Sequence, residues 1–214
     1  NDNIIKLSSP NSFRKLEGKS IEAFEDSLID ELNEVINKQD SKNIAAFIGE
    51  PIQASGGVIV PPKNYLKRVR EICKKNNILF IADEVVTGFG RMGHIFASEK
   101  VFSIVPDIIT LAKGLASGMP LGACISTQEH MKKWPTGAHG TTYGGNPVTC
   151  AAALATIEVV SDILTQITPV GKAGIDYLKD ALNDHKRVGD IRGMGLMIGV
   201  EFVSNRQTKE PDSG

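Results

Sequence analysis

Along this chain, segments whose apolar residues recur every three or four positions alternate with short segments that are apolar throughout. Residues 20–38, SIEAFEDSLIDELNEVINK, place Ile21, Phe24, Leu28, Leu32, Val35 and Ile36 on one helical stripe. Ser20 stands at the N-cap position and acids fill the first turns, so a helix is predicted here. NIAAFIGEP is an apolar run stopped by Glu50 and Pro51 and reads as a buried strand. YLKRVREICKKNN, after Pro61 and Pro62, is an amphipathic helix rich in base. ILFIADE, PDIITLAKG and LGACIST read as three further strands. Asn146 and Pro147 open a helix over VTCAAALATIEVV, with asparagine as its cap and proline at its first position. A further helix is predicted across GKAGIDYLKDALND, and in GDIRGMGLMIGVEFV glycines lead into a strand.

The strands are uniformly apolar rather than alternating, and helices or long connections separate them. That pattern predicts an α/β fold with a mostly parallel sheet and helices on both faces. In open sheets of this kind, ligands sit beyond the carboxyl ends of the strands. Glu50, Asp83 and Lys113 all fall at such ends, so three polar groups of different type are expected to converge on one crevice. No internal repeat or low-complexity tract interrupts the pattern.

Composition narrows the classes further. The 214 residues are 41% hydrophobic and 23% charged, with a formal net charge of -1, which is ordinary globular composition. A near-neutral chain has no electrostatic case for nucleic acid or an anionic membrane. No apolar run reaches the ~18 residues of a membrane helix, and no signal peptide is visible. Cys73, Cys124 and Cys150 are odd in number and far apart, which points to a reducing, cytoplasmic setting. His94, His130, His139 and His185 have no ligand spacing, so no metal site is expected. The chain opens on Asn1 with a loop-like stretch and ends in SNRQTKEPDSG directly after a strand, and a piece of a longer protein is expected.

The acid pair Asp83–Glu84 at the end of ILFIADE admits two chemistries. In a nucleotide hydrolase such acids hold magnesium and a water, as in a Walker B strand. That reading needs a GxxxxGK[ST] phosphate loop, which the chain lacks. In a cofactor enzyme, one acid holds a proton on a ring nitrogen. Lys113 favours the second chemistry. At the end of an apolar strand a lysine is expected to be partly desolvated, and burial disfavours the ammonium form. A neutral amine is a nucleophile toward an aldehyde, and Gly114 and Gly118 would admit a flat group close to the backbone.

EPIQASGGVIVPP, IADEVVTGFGRMG, PDIITLAKGLASGMPLGA and GTTYGGNP occur in this order. Together they resemble the class III aminotransferases, the omega-amino-acid group of pyridoxal-phosphate enzymes with the aspartate aminotransferase fold. The resemblance runs from about residue 44 to 203. VGDIRGMGLMIGVEF is similar to the start of that family's C-terminal small domain. The implied division is residues 1–164 in the cofactor-binding large domain, with 165–214 a linker helix and the start of the small domain.

The resemblance implies a role for each candidate residue. Lys113 would form the internal Schiff base with pyridoxal phosphate and, once freed, move a proton between substrate carbon and cofactor. Asp83 would hold the ring nitrogen, and Val85 would pack on the ring face. Val86 stands where the family often has a glutamine that bonds the ring hydroxyl. Thr142, with Thr141 the weaker candidate, would bind the cofactor phosphate of the neighbouring subunit, making a homodimer with a shared site. Glu50 resembles the gating glutamate, whose arginine partner is not in the chain; Arg192 lies in a different motif. Glu84 and Arg91 read as structural. The family's glycine- and serine-rich phosphate turn and its stacking aromatic residue are not recognisable, so this chain alone is expected to hold cofactor poorly and to be inactive.

The implied activity is transfer of an amino group from an omega-amino acid to a 2-oxo acid. Donors of the 4-aminobutyrate, acetylornithine and beta-alanine types all remain open. GTTYGGNP leans toward the first two, and DEVVTGFGR toward the omega-amino-acid:pyruvate branch. The alternatives are an aminomutase of the same fold, of the glutamate-semialdehyde type, the nucleotide hydrolase built on Asp83 and Glu84, and an inactive binding or folding remnant.

Overall fold

The computed structural model describes residues 3–15 and 18–212. Of the predicted opening loop, residues 1, 2, 16 and 17 lie outside the described residues, as do 213 and 214 of the tail. The elements in chain order are α1 (Ile21–Gln39), β1 (Ala46–Gly49), α2 (Tyr65–Lys75), β2 (Leu79–Asp83), the single turn α3 (Ala97–Lys100), β3 (Ile108–Leu111), β4 (Ala123–Ser126), the single turn α4 (Gln128–Met131), α5 (Pro147–Ala181), β5 (Val188–Met194), β6 (Met197–Asn205) and β7 (Glu210–Pro211). The predicted caps are in place. Ser20 Oγ accepts from Ala23 N at 3.1 Å, and Asn146 Oδ1 accepts from Val148 N at 2.9 Å with Pro147 first in its helix.

The first sheet has the order β1-β2-β3-β4. β1, β2 and β3 are mutually parallel, and β4 closes the edge antiparallel to β3. The fold is therefore α/β with a mostly parallel sheet. Residues paired in register share a face. Phe47 and Phe80 are such a pair, and they stack with ring centroids 5.3 Å apart. With Ala82 they meet Leu28, Leu32 and Ile36 of α1 and Leu66, Val69 and Cys73 of α2 in one core. Arg70 pins α2 to the sheet through two 2.8 Å bonds to Asp107, whose Oδ2 also accepts from Phe80 N at 2.7 Å. The opposite face carries Ile48, Ile81, Asp83 and Thr110, and within the described residues it is open enough to leave Ile48 61% exposed.

Two segments differ from their predicted form. The helices predicted across VTCAAALATIEVV and GKAGIDYLKDALND are one 35-residue helix, α5. Pro169 lacks an N–H, but it and Thr165, four residues earlier, are both exposed, so the freed carbonyl can be met by water. The strand predicted after the glycines is a hairpin, because Met194 pairs with Met197 around a two-residue loop whose first residue, Gly195, has φ +54°. β7, within the predicted tail, adds a third antiparallel strand.

α5 joins the two sheets. It packs on the short 3-10 turn Lys113–Ala116 near its start and on β5 farther along. The approach is close at Gly171, where a Cβ would fall 1.8 Å from the Gly195 carbonyl. The rest of its surface is open: of its most apolar window, 17% is buried in the chain. By length and composition α5 is long and apolar enough to cross a bilayer, which corrects the expectation that no segment reaches that measure.

The hairpin is tied to the first sheet by charge. Arg192 bonds the Gly57 and Val58 carbonyls and pairs with Asp190 and Glu201, while Arg14 bonds Glu201 from the opening segment. Arg192 is thus structural, and not the gate partner of Glu50. Burial pushes the Glu201 carboxyl up, but its bonds to Arg14 and Arg192 outweigh that and leave it below the ordinary value of 4.5. A carboxyl depressed on folding contributes stability above its unfolded value and loses it as pH falls through the lower folded one. Replacing Glu201 by Gln should therefore flatten the loss of denaturant midpoint below about pH 4.5. Equal acid slopes in the two proteins would show that Glu201 does not carry this dependence.

Candidate active site

The parallel pairing brings the expected ends together. Gly49 pairs with Ala82 and Asp83 with Thr110, so Glu50, Asp83 and Thr110 stand side by side at one edge of the sheet. Lys113 follows three residues after Thr110, where β3 gives way to the 3-10 turn. It has φ +43°, a left-handed conformation that costs a non-glycine residue about 1 kcal/mol or more and tends to be kept at functional sites.

Asp83 is half-buried. Its Oδ1 accepts from Val85 N at 3.1 Å and from Thr110 Oγ1 at 3.2 Å. Its Oδ2 has no hydrogen-bond partner among the described residues. Glu84, the other member of the acid pair, is 0% exposed. Its oxygens accept from Thr87 Oγ1 at 2.7 Å, Ala97 N at 3.0 Å and Ser98 N at 2.6 Å. The last two are the first N–H groups of α3, so Glu84 caps that turn and closes the loop behind Asp83. A carboxyl buried and bonded in this way is out of reach of a metal-bound water, which counts against the Walker B reading of Asp83–Glu84.

A cavity of about 300 Å³ lies at Lys113; Asp83, Thr110 and Glu50 are not among the residues that line it. Lys113, Gly114, Val86, Phe89 and Arg91 line it, together with Leu196 and Met197 from the hairpin. Lys113 is exposed rather than partly buried, because it sits past the end of the apolar strand, on the turn. Val85 serves the site through its N–H, and its side chain is half-buried. Glu50 is also half-buried, with Oε2 accepting from Ala54 N at 2.9 Å, and so closes the loop after β1. Thr141 and Thr142 are exposed in the turn before α5, away from the cavity walls, with Gly144 N donating to Thr141 O at 3.4 Å. Arg91 is exposed, and its carbonyl accepts from Leu196 N at 2.9 Å, a backbone tie between site loop and hairpin.

Two contributors escaped the sequence reading. Thr110 is the lone hydroxyl in the apolar run of β3, and that isolation was the available signal. Leu196 and Met197 are far away in the chain and carry no local mark.

A fold and site of this kind define an α/β protein whose chemistry gathers at the carboxyl edge of an open sheet. The chain belongs to the class-III aminotransferase family, whose model matches residues 3–212. It is 42% identical over 204 residues to gamma aminobutyrate transaminase 3, chloroplastic, of Solanum lycopersicum, covering 91% of this chain and 39% of that protein. It is 47% identical over 160 residues to an acetylornithine aminotransferase of Methanothermobacter thermautotrophicus, covering 74% of this chain and 41% of that one. Among solved structures, an (S)-enantioselective omega-transaminase from Thermomicrobium roseum superposes with a TM-score of 0.90 at 39% identity, covering 96% of this chain and 47% of that one. The chain thus spans less than half the length of these relatives.

The buried cap makes a direct prediction. Glu84→Ala strands two N–H groups and a hydroxyl, so it should lower stability by about 3 kcal/mol or more, read from the denaturant midpoint. A loss below about 1 kcal/mol would mean that water replaces the carboxyl and that the cap is dispensable.

Proposed function

We propose that this chain supplies the catalytic core of a pyridoxal-phosphate aminotransferase that moves an amino group from an omega-amino acid to a 2-oxo acid. The observation that carries the reading is the placing of Asp83 and Lys113 at the same edge of two paired parallel strands, with Lys113 on a cavity wall beside Val86 and Gly114. The residues fit the cofactor. One carboxylate oxygen of Asp83 is spoken for and the other is free, while Gly114 and Gly88 give the cavity wall little side-chain bulk.

When bound, pyridoxal phosphate supplies an aldehyde for an amine and a ring that accepts the electron pair left by a broken carbon–hydrogen bond. Asp83, whose Oδ1 is already bonded, would hold the ring-nitrogen proton with Oδ2. Lys113 Nζ would hold the aldehyde carbon and is the amine placed to act as base toward the substrate carbon next to nitrogen. Val85 and Val86 offer apolar surface to the ring; Val86 cannot donate to the ring hydroxyl. Glu50, at the end of β1, would act as the gate for a substrate carboxylate. Thr142, and more weakly Thr141, serve the phosphate of a second subunit in a homodimer, and the exposed apolar side chains of α5 such as Val159, Ile163 and Val170 are suited to be covered in such an assembly.

We assign residues 1–164 to the cofactor domain and 165–214 to the linker and small domain. The separate sheet β5-β6-β7 supports this, with α5 running through the boundary. Donors of the 4-aminobutyrate and acetylornithine types are favoured by the relatives that bear those names, and beta-alanine remains in the set. The free state of Cys73, Cys124 and Cys150 fits a reducing compartment such as the cytoplasm. No nucleic acid or membrane partner is proposed.

With the full-length protein and pyridoxal phosphate, a visible absorption band removed by borohydride is expected, with turnover that requires an external 2-oxo acid. A colourless protein would overturn the proposal, and acceptor-independent turnover would make it an aminomutase. Lys113→Ala should abolish the band and lower turnover by about a thousandfold; a variant that keeps transaminating removes Lys113 from the role. Asp83→Asn keeps the shape and loses the charge, so turnover should fall roughly a hundredfold with cofactor still bound. Near-normal turnover in that variant would remove Asp83 from the ring nitrogen.

A further inference from the structure

We propose that Thr110 is a positioning residue for the reaction: its hydroxyl holds Asp83 Oδ1 so that Oδ2 alone is presented to the cofactor's ring nitrogen. The inference rests on the assignment of Asp83 made above, and deepens it.

An aspartate at a strand end can rotate about two side-chain bonds. Val85 N, 3.1 Å from Oδ1, restrains it from two residues along its own chain. Thr110 Oγ1, 3.2 Å from the same oxygen, restrains it from a different strand. Thr110 and Asp83 are in register, and paired residues of parallel strands present their side chains to one face, so the bond follows from the pairing itself. The same threonine accepts Glu84 N on its carbonyl at 3.0 Å, which fixes the main chain of the acid pair to β3. Lys113 lies three residues farther along the same chain. Thr110 therefore references the acid to the segment that carries the amine. A threonine that served the strand alone would be replaceable by valine, which matches it in shape and favours strands equally.

The test uses the full-length protein loaded with pyridoxal phosphate labelled with ¹⁵N in the ring, and follows the ring-nitrogen chemical shift against pH. Thr110→Val should lower the protonation midpoint and weaken cofactor binding roughly ten- to a hundredfold, the worth of a hydrogen bond to a charged group. Thr110→Ser, which keeps the hydroxyl, should restore both. Asp83→Asn is the control and should lower the midpoint further. A Thr110→Val midpoint equal to that of the parent, while Asp83→Asn moves it, overturns the role of Thr110 and leaves that of Asp83 standing. A midpoint unmoved by Asp83→Asn overturns both. If Thr110→Val does not fold, Thr110→Ala, which removes the hydroxyl without adding bulk, decides: a lowered midpoint supports the proposal, and a parent midpoint overturns it.

Discussion

The register of β2 against β3 is the constraint on which the site depends. These strands are parallel, so both end at the same edge, and Asp83 lies against Thr110. Slipping β3 by one residue would turn every side chain to the other face. Ile109 or Leu111 would then meet Asp83, and Lys113 would leave its position relative to the acid. The register is held from below by Asp107, which binds Arg70 and Phe80 N at the start of β3, and from above by Glu84 N on the Thr110 carbonyl. The stacked core of Phe47, Phe80 and the helices α1 and α2 fills one face and leaves the other for chemistry.

The acid pair then divides its work by geometry. Asp83 ends the strand on the open face, with one oxygen restrained and the other free. Glu84 follows on the chain but turns inward, where Thr87 and the first N–H groups of α3 bond both of its oxygens. Two adjacent carboxyls of similar chemistry become a site group and a structural cap because successive residues leave a strand on opposite sides.

The second sheet contributes a wall. α5 carries the chain to it, and Gly171 lets that helix touch the Gly195 carbonyl where any larger residue would collide. Arg192, bonded to Gly57 and Val58 and paired with Glu201, draws the hairpin onto the loop after β1, so that Leu196 and Met197 line the cavity together with Lys113.

Local pattern was enough for much of this. The apolar runs marked β1 to β4, the caps Ser20 and Asn146 marked α1 and the start of α5, and the acids and the lysine could be placed at strand ends, because each of these depends on neighbours in sequence. It did not reveal that α5 continues past Pro169, since exposure of a freed carbonyl is a property of the packed molecule. Nor did it reveal the hairpin beyond Gly195, where glycine-rich sequence hides two paired strands. The roles of Thr110 and of Leu196–Met197 depend on contacts between segments distant along the chain. The exposure of Lys113 was also beyond reach, because burial is set by what packs on a residue and not by the run that precedes it. Residue order determined which groups could reach the sheet edge; only the tertiary pairing decided which of them touch, because hydrogen bonds and burial act through space.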